Sequence, residues 1–454
     1  CVVSTSALEL GVDIGSLDVC VLNGYPGTIA GTWQRLGRAG RRQRTAVGVL
    51  VASSLPLDQY MIRNPEFFLG ASPEQARIDP DQLLILLDHI RCAAFELPFR
   101  DGEAFGKEKL NDMLAYLEEH GVVHREGNQW HWMTDSYPAN SVSLRSVAEG
   151  NFVVIDTTAG AQTVIAEVDF SSAPETIYAG AIYMIQSSPY QVEKLDWEGR
   201  KAFVTRTRAD YYTDVIDYTR LKILDEEKPG SEPISDNQKI GSDPGFSKVS
   251  QGEVHLVRRI AGYKKIRYYT HENVGYGNID LPDQEMHTTA VWWQVQAEAL
   301  DAAFASRHMA LDGFLGAGYA MHIVAAMRML SEPRDVGRAV GDGNAEWFAT
   351  VGANGRGQMR NSAGEAVDPG QLQQFTPTLF LYDNYPGGIG LSVPLFQQQA
   401  AIVAGAAALV RACECRCGCP ACVGPILASD EVRGYSPKQA ALTVLDLLHE
   451  RRAT

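Results

Sequence analysis

The chain is predicted to be a multidomain protein of mixed class, α/β at its start and α+β beyond, and three observations carry that expectation. Strand-like and helical runs alternate over residues 1–55, short β-rich runs recur between turns over residues 140–280, and five cysteines crowd into ten positions near the end. At 454 residues the length corresponds to about three domains, each able to bury its own core. With 45% hydrophobic and 21% charged residues, the composition is that of an ordinary globular protein. No uninterrupted apolar run reaches membrane-spanning length and no signal-peptide pattern opens the chain, so no membrane partner is expected. The run from Ala400 to Val410 is too short, contains Gly405, and reads as a buried helix.

Val19-Cys20-Val21-Leu22 has the character of a buried parallel strand, Thr28 to Ala39 that of a helix, and Ala46 to Val51 that of the next strand. Strand, helix, strand in this order is the end of a RecA-like α/β domain, placed at residues 1–70. Four prolines from Pro56 to Pro80 mark a connecting segment with short helical pieces. From Asp81, the positions of Leu83, Leu84, Leu86, Leu87 and Ile90 predict a helix. Leu110, Met113, Leu114 and Leu117 predict a second, which stops at Gly121. Val122 to Arg125, a Glu126-Gly127-Asn128 turn and Gln129 to Met133 then make a tight hairpin. Residues 71–139 therefore read as a winged-helix-like element, either a duplex contact or a packing scaffold.

Over residues 140–280, Phe152 to Ile155, Thr163 to Val168, Ala181 to Ile185, Ala202 to Thr207 and Tyr218 to Leu224 predict a β-rich, barrel-like domain. Glu226 to Gly245, rich in Pro, Gly, Ser and Asp, reads as a flexible hairpin loop. Helices return over residues 281–454, at Thr289 to Arg307, His308 to Leu330, Leu391 to Ala412 and Ser436 to Arg451, the last with Pro437 in its first turn. Between them lie a polar, glycine-rich span from Val340 to Gln373 and a buried strand, Leu379 to Asp383, that runs into Pro386-Gly387-Gly388.

A net charge of −15 works against nucleic-acid binding as a sum, because phosphate neutralisation supplies most non-specific affinity. Its distribution matters more. Five arginines fall between Arg35 and Arg44. A second basic stretch, Arg258, Arg259, Lys264, Lys265 and Arg267, is flanked by Tyr263, Tyr268 and Tyr269, and reads either as a solvated strand-turn or as a strand-binding surface.

Cys1, Cys20 and Cys92 are scattered and read as small core residues, whereas Cys413, Cys415, Cys417, Cys419 and Cys422 are clustered. Disulfides between such close neighbours are geometrically poor, so metal binding is the better account. The pattern Cys413-x-Cys415-x3-Cys419-x2-Cys422 can supply four thiolates to a tetrahedral zinc ion, which would be structural because no coordination position stays open. Cys417 makes five candidates for four places, and an iron–sulfur centre is the alternative occupant.

Gln34-Arg35-Leu36-Gly37-Arg38-Ala39-Gly40-Arg41-Arg42 packs arginines around two glycines, downstream of Thr5-Ser6-Ala7-Leu8-Glu9-Leu10-Gly11-Val12-Asp13. Together they resemble motifs V and VI of superfamily 2 helicases. Glycines let the backbone approach closely, and guanidinium forks can neutralise charge on a transferred phosphoryl group. The sequence holds no G-x-x-x-x-G-K-[ST] loop and no Asp-Glu-x-His run to hold magnesium, which is half of an ATPase site. A chain that opens at Cys1 inside an apolar run reads as the downstream portion of a longer polypeptide.

With these motifs, Leu87-Asp88-His89-Ile90-Arg91-Cys92-Ala93-Ala94-Phe95-Glu96-Leu97-Pro98, Tyr211-Tyr212-Thr213, Tyr382-Asp383-Asn384-Tyr385-Pro386-Gly387-Gly388-Ile389-Gly390-Leu391 and Cys-x-Cys-x3-Cys-Pro-x-Cys, nearly the whole chain resembles the MrfA/Hrq1 group of helicases. These are RecQ-like relatives that end in a DUF1998-type zinc-binding domain. The resemblance implies a DNA-stimulated ATPase that translocates 3′ to 5′ on single strands or tailed duplexes, serves DNA repair, and works at the nucleoid in the cytoplasm. It implies that Arg38 and Arg41 contact the ATP γ-phosphate, with Arg41 as the finger, and that Gln34 positions phosphate or water. It places Gly11 and Asp13 at the nucleotide edge and Thr5 and Ser6 against the DNA backbone. It selects Cys413, Cys415, Cys419 and Cys422 as zinc ligands, and ATP with Mg2+ would be presented by an N-terminal RecA-like lobe of the same polypeptide. This chain alone would not hydrolyse ATP.

His287, His308 and His322 lack the close spacing of a metal helix and read as core or surface residues. Asp383 reads as a turn acid that fixes the following loop rather than a catalytic carboxylate. Trp130, Trp132, Trp292 and Trp293 read as core residues, with base stacking as the alternative. Two other functions compete with the helicase: a non-enzymatic zinc-dependent DNA-binding or docking module, and a translocase in defence against foreign DNA.

Overall fold

The computed structural model describes residues 1–5, 17–40, 45–53, 56–70, 73, 81–106, 109–142, 150–158, 160, 162–226, 247–270, 272–351, 356–424 and 434–449. Two compact units emerge, one from residues 1–78, 220–256 and 287–454, the other from residues 79–219 and 257–286.

The first unit opens with β1 (Val19–Asn23), α1 (Ile29–Leu36), β2 (Val47–Val51), α2 (Pro56–Arg63) and α3 (Pro65–Gly70). Thr28 caps α1 by accepting from Gly31 N at 3.1 Å. The strands are parallel, Val19 facing Val47 and Val21 facing Val49, and strand–helix–strand is borne out. The buried character expected of Val19 to Leu22 is not. Leu22 is buried, on the side where Leu36 of α1 reaches Gly48, but Val19, Val21, Val47, Val49 and Val51 share the other side and are exposed. Parallel strands are normally covered on both faces, and among the described residues nothing covers this one.

The second unit begins with α4 (Leu83–Glu96), β3 (Phe99–Arg100), α5 (Leu110–Glu119), β4 (Val123–Glu126) and β5 (Gln129–Trp132). Leu86, Ile90 and Ala94 of α4 pack with Leu110, Met113, Leu114 and Leu117 of α5, while Leu83 and Leu84 stay exposed. Gly121, at φ +70°, ends α5, and Gly127, at φ +64°, turns the hairpin. The strands pair in the order β3-β5-β4, the helices-plus-hairpin arrangement that the spacing predicts.

Next come β6 (Asn151–Asp156), β7 (Thr163–Asp169), α6 (Ala173–Thr176), β8 (Ile182–Ile185), β9 (Ser188–Asp196) and β10 (Lys201–Arg206). They pair as β7-β6-β10-β9-β8, so the barrel-like expectation takes the form of a five-stranded sheet with β7 and β8 at its edges. Its core gathers Phe152, Val154, Ile177, Tyr178, Val192 and Val204. β11 (Tyr211–Glu226), β12 (Ser247–Arg267) and β14 (Gln284–Val295) contribute residues to both units, and β13 (Asn273–Asn278) pairs with β12. The loop predicted at Glu226 to Gly245 lies, but for Glu226, outside the described residues.

The rest of the first unit is α7 (Ala297–Ala303), α8 (Arg307–Met329), β15 (Val336–Gly341), β16 (Trp347–Val351), β17 (Gly357–Asn361), β18 (Ala366–Val367), β19 (Thr378–Asp383), α9 (Ser392–Gln397), α10 (Gln399–Ala412), α11 (Pro420–Val423) and α12 (Pro437–His449). Its sheet runs β11-β12-β14-β19-β15-β16-β17-β18. One expectation is corrected here. Thr289 to Val295 belongs to a strand, not a helix, because Val291, Trp292, Trp293 and Val295 are buried on both faces of the sheet, and a short apolar run carries no period to separate the two. The polar, glycine-rich span from Val340 to Gln373 carries the end of β15 and the short strands β16, β17 and β18, with Trp347, Phe348 and Met359 buried among its polar positions. The zinc-bearing region is therefore mixed α/β, not helical.

α8 is long and apolar enough to cross a membrane, yet it is the spine of this core, with Leu311, Phe314, Ala317, Ala320, Met321 and Ala325 buried. Gly313 and Gly316 let α12 approach, since a Cβ at Gly313 would lie 2.7 Å from Ala440 O. His322 is buried beside it. Its Nε2 lies 2.8 Å from Pro333 O and 2.7 Å from Val336 O, so that nitrogen carries the proton, and Nδ1 faces Arg338 Nη1 at 3.4 Å. Burial, with the Arg338 charge, pushes the imidazole down to about 4.

Replacing fully buried Leu114 with Ala should cost about 2–5 kcal/mol, read as a lower urea midpoint. His322 binds its proton more weakly in the fold than in the unfolded chain. Stability held by the neutral ring is therefore complete above pH ~6.5 and falls as pH drops towards ~4, by about 3 kcal/mol in all. The difference in urea-derived stability between wild type and His322→Gln should shrink across that window, and a constant difference would contradict the account.

Candidate functional site

α10 ends at Ala412, and Cys413 and Cys415 follow directly, while Cys419 caps the single turn α11 and Cys422 lies within it. All four sulfurs lie within 4.8 Å of one another. The shorter separations are 3.4 Å for Cys413–Cys419, 3.5 Å for Cys415–Cys422 and 3.7 Å for Cys419–Cys422. A disulfide needs about 2.05 Å, whereas four sulfurs placed ~2.3 Å from one zinc ion are separated by roughly 3.8 Å. The thiols therefore fit the corners of a single-ion tetrahedron and are too close together to enclose an iron–sulfur cluster. Cys417 is exposed and stands outside the group, although its carbonyl accepts from Lys438 N at 2.9 Å and Ser436 Oγ at 3.0 Å.

The surroundings match a buried dianionic centre. Burial pushes the Cys422 thiol well up, and neighbouring sulfurs push it the same way, so this thiol resists an ionisation that a dication would enforce, whereas at Cys413 burial is outweighed by hydrogen bonds from neighbouring cysteines, which bring that thiol down. Lys438, in the first turn of α12, donates through Nζ to Cys413 O and to Cys415 O at 3.1 Å, bringing positive charge beside the ligand loop. No spacing rule points to Lys438, because it lies far along the chain from the ligands it supports. Cys413, Cys415, Cys419 and Cys422 can together supply all four ligands of one zinc ion, whose role would then be structural.

The Arg-Gly motif forms a tight exit from α1. Gly37 N donates to Trp33 O at 2.7 Å, Arg38 N to Arg35 O at 3.1 Å, and Gly40, at φ +79°, donates to Leu17 O at 2.9 Å. Arg38 is half-buried in this turn and Gln34 is exposed on the helix. Thr5 is exposed too, whereas Ser6, Gly11, Asp13 and Arg41 lie outside the described residues. At the other end of the strands sits a carboxylate that the sequence reading passed over. Buried Asp58 accepts from Tyr25 N at 3.0 Å and Ser53 N at 2.7 Å, tying together the loops that leave β1 and β2.

The second basic stretch is largely committed internally. Arg258 pairs with Glu175 and with Asp217 at 2.8 Å, Arg259 with Asp283 at 2.7 Å, and Arg267 with Asp210 at 3.4 Å. Trp130, Trp292 and Trp293 are buried and Trp132 is half-buried, so the core reading holds. His308 faces Asp368 at 3.6 Å and His287 packs beside His255, neither in a metal group among the described residues. Asp383 Oδ2 accepts from Thr289 Oγ1 at 3.0 Å, Ile389 N at 3.0 Å and Leu391 N at 3.2 Å, the loop-fixing role expected.

Elemental analysis should find one zinc ion per chain. Cys422→Ser should lose the metal and melt the helices around it, whereas Cys417→Ser should keep both. Because ligation displaces the protons of the four thiols, zinc retention should fall on acidification, followed by a chromogenic chelator.

Three family models match the chain: the helicase conserved C-terminal domain over residues 1–43, the winged helix domain of ATP-dependent helicase HRQ1 over residues 78–147, and the MrfA Zn-binding domain over residues 317–423. The chain is 38% identical to a Bacillus subtilis protein described as "Uncharacterized ATP-dependent helicase YprA", covering 98% of this chain and 53% of that one. It is 29% identical to Saccharomyces cerevisiae "ATP-dependent helicase HRQ1", over 93% of this chain and 37% of the relative. A crystal structure of the DUF1998 helicase MrfA bound to DNA superposes with a TM-score of 0.58 at 36% identity, over 97% of this chain and 53% of that chain. The chain thus spans about half the length, or less, of the relatives it matches, and its matched regions are those of a helicase C-terminal domain, an HRQ1-type winged helix and an MrfA-type zinc-binding domain.

Proposed function

We propose that the chain is the C-terminal portion of an ATP-dependent DNA helicase that translocates 3′ to 5′ on single-stranded or tailed DNA in DNA repair, in the cytoplasm at the nucleoid. The observation that carries the reading is the α1 exit turn, which places Arg38 on a glycine-bounded corner of a parallel strand–helix–strand unit. A corner of this kind can present a guanidinium to a phosphate without reorganisation. The valine face of β1 and β2, uncovered among the described residues, is consistent with further structure against this unit.

In this reading residues 1–70 close the second RecA-like domain, 71–139 are the winged helix, 140–280 the β-rich domain and 281–454 the DUF1998-type zinc domain. ATP and Mg2+ come from an N-terminal RecA-like lobe. Arg38 and Arg41 meet the γ-phosphate, with Arg41 as the finger, while Gln34 orients phosphate or water. Gly11 and Asp13 line the nucleotide, and Thr5 and Ser6 donate to DNA phosphates, which holds the strand without reading its sequence. Zinc takes no part in turnover.

In the full-length protein, Arg41→Ala should lower kcat for DNA-stimulated ATP hydrolysis by about 10³–10⁵-fold while DNA affinity stays as in the wild type. Unchanged turnover would remove the finger assignment. The 454-residue chain alone should release no phosphate from ATP.

A further inference from the structure

β12 and β13 form a hairpin in the second unit, with Tyr263 facing Gly277, Lys264 facing Tyr276 and Lys265 facing Gly275. Arg267 N donates to Glu272 O at 2.9 Å and carries the pairing to the tip. There, Thr270 N donates to Tyr268 O at 2.8 Å, closing a three-residue turn whose central residue, Tyr269, has φ +69°. A turn closed from i to i+2 around a positive φ is rare and strained, and most of all for a bulky side chain. Glycine would relieve it.

Burial does not offset that cost, because Tyr269 is 98% exposed. The residue before it is held firmly. Tyr268 N donates to Asp210 O at 3.0 Å, and its ring lies 5.6 Å from that of Tyr212. The fold thus anchors one tyrosine and turns the next into solvent. Tyr263 points into the core against Tyr178, so Lys264 and Tyr276, one residue out of phase, share the outer face of the hairpin, and Tyr276 is exposed. Lys265 Nζ lies 5.4 Å from the Tyr211 ring. Arg267 is engaged by Asp210 and Glu272, but neither Lys264 nor Lys265 has a carboxylate partner among the described residues.

We propose that Tyr269 is a stacking platform at the hairpin tip, taking the face of an unpaired base of single-stranded DNA, with Tyr276 and Lys264 following the strand behind it. Strain kept on a fully exposed aromatic ring is the mark of a residue held ready for a ligand. An exposed aromatic face at the tip of a hairpin that also carries two lysines without a carboxylate partner among the described residues, in a chain of net charge −15, fits a polyanion that carries flat bases. The inference rests on the DNA-binding part of the proposed function.

The test is fluorescence anisotropy of a labelled oligothymidylate with the 454-residue chain. Tyr269→Ala should weaken binding about 5- to 150-fold, the range for losing one stacked base, and Tyr269→Phe should bind as the wild type. Tyr269→Gly should raise Tm while weakening binding, two movements that a merely structural tyrosine would not combine. Lys264→Gln should reduce the salt slope by about one. Wild-type binding that survives Tyr269→Ala, or an equal loss on blunt duplex, overturns the stacking role and leaves the proposed function standing. Failure of the wild-type chain to bind the oligonucleotide overturns both.

Discussion

Enclosing α8 is the constraint on which the first unit depends. A 23-residue helix whose buried positions run around most of its circumference cannot rest on a single partner. β14, β19 and β15 supply one wall, through Trp293, Leu381 and Val340, while α10 and α12 supply the other. α12 reaches α8 where the side chains of α8 are small, at Gly313 and Gly316, whereas α10 meets Val324 of α8 through its own Gly405, so small residues on both sides set how closely the helices pack.

The zinc loop belongs to the same arrangement. It joins the end of α10 to α11, while Lys438 in the first turn of α12 reaches back to its carbonyls, so the metal sits where two of the helices around α8 converge. Cys422 and Val423 are themselves part of the core. Ligand geometry and hydrophobic packing are therefore not separate supports. Each holds the other in register, which is why a site with no open coordination position still matters to the whole unit.

Local rules made much of this legible. Helical spacing located α4, α5, α8 and α12, turn glycines set the hairpin of β4 and β5, and the four thiols that the family pattern chose among five are the ones the fold gathers. What escaped was non-local. β12 extends through 21 residues because strands on both sides pair with it, which no window of its own sequence announces. Val291 to Val295 looks the same as strand or helix until both faces are seen to be covered. Asp58 and Lys438 act on residues distant in sequence, and the strain at Tyr269 exists only once its turn has closed.

The first unit is assembled from three separated stretches of chain, whereas the helices and hairpin of the winged-helix region lie side by side in sequence. A ribosome delivers these parts in order. The winged helix can condense as soon as it emerges, but α8 and its strands must wait for α10, α11 and α12 before their apolar surfaces are shielded. In the interval the nascent polypeptide exposes the very surface that aggregation exploits, so chaperone occupancy and metal supply at the close of synthesis, rather than the rate of early collapse, would govern the yield of native molecules.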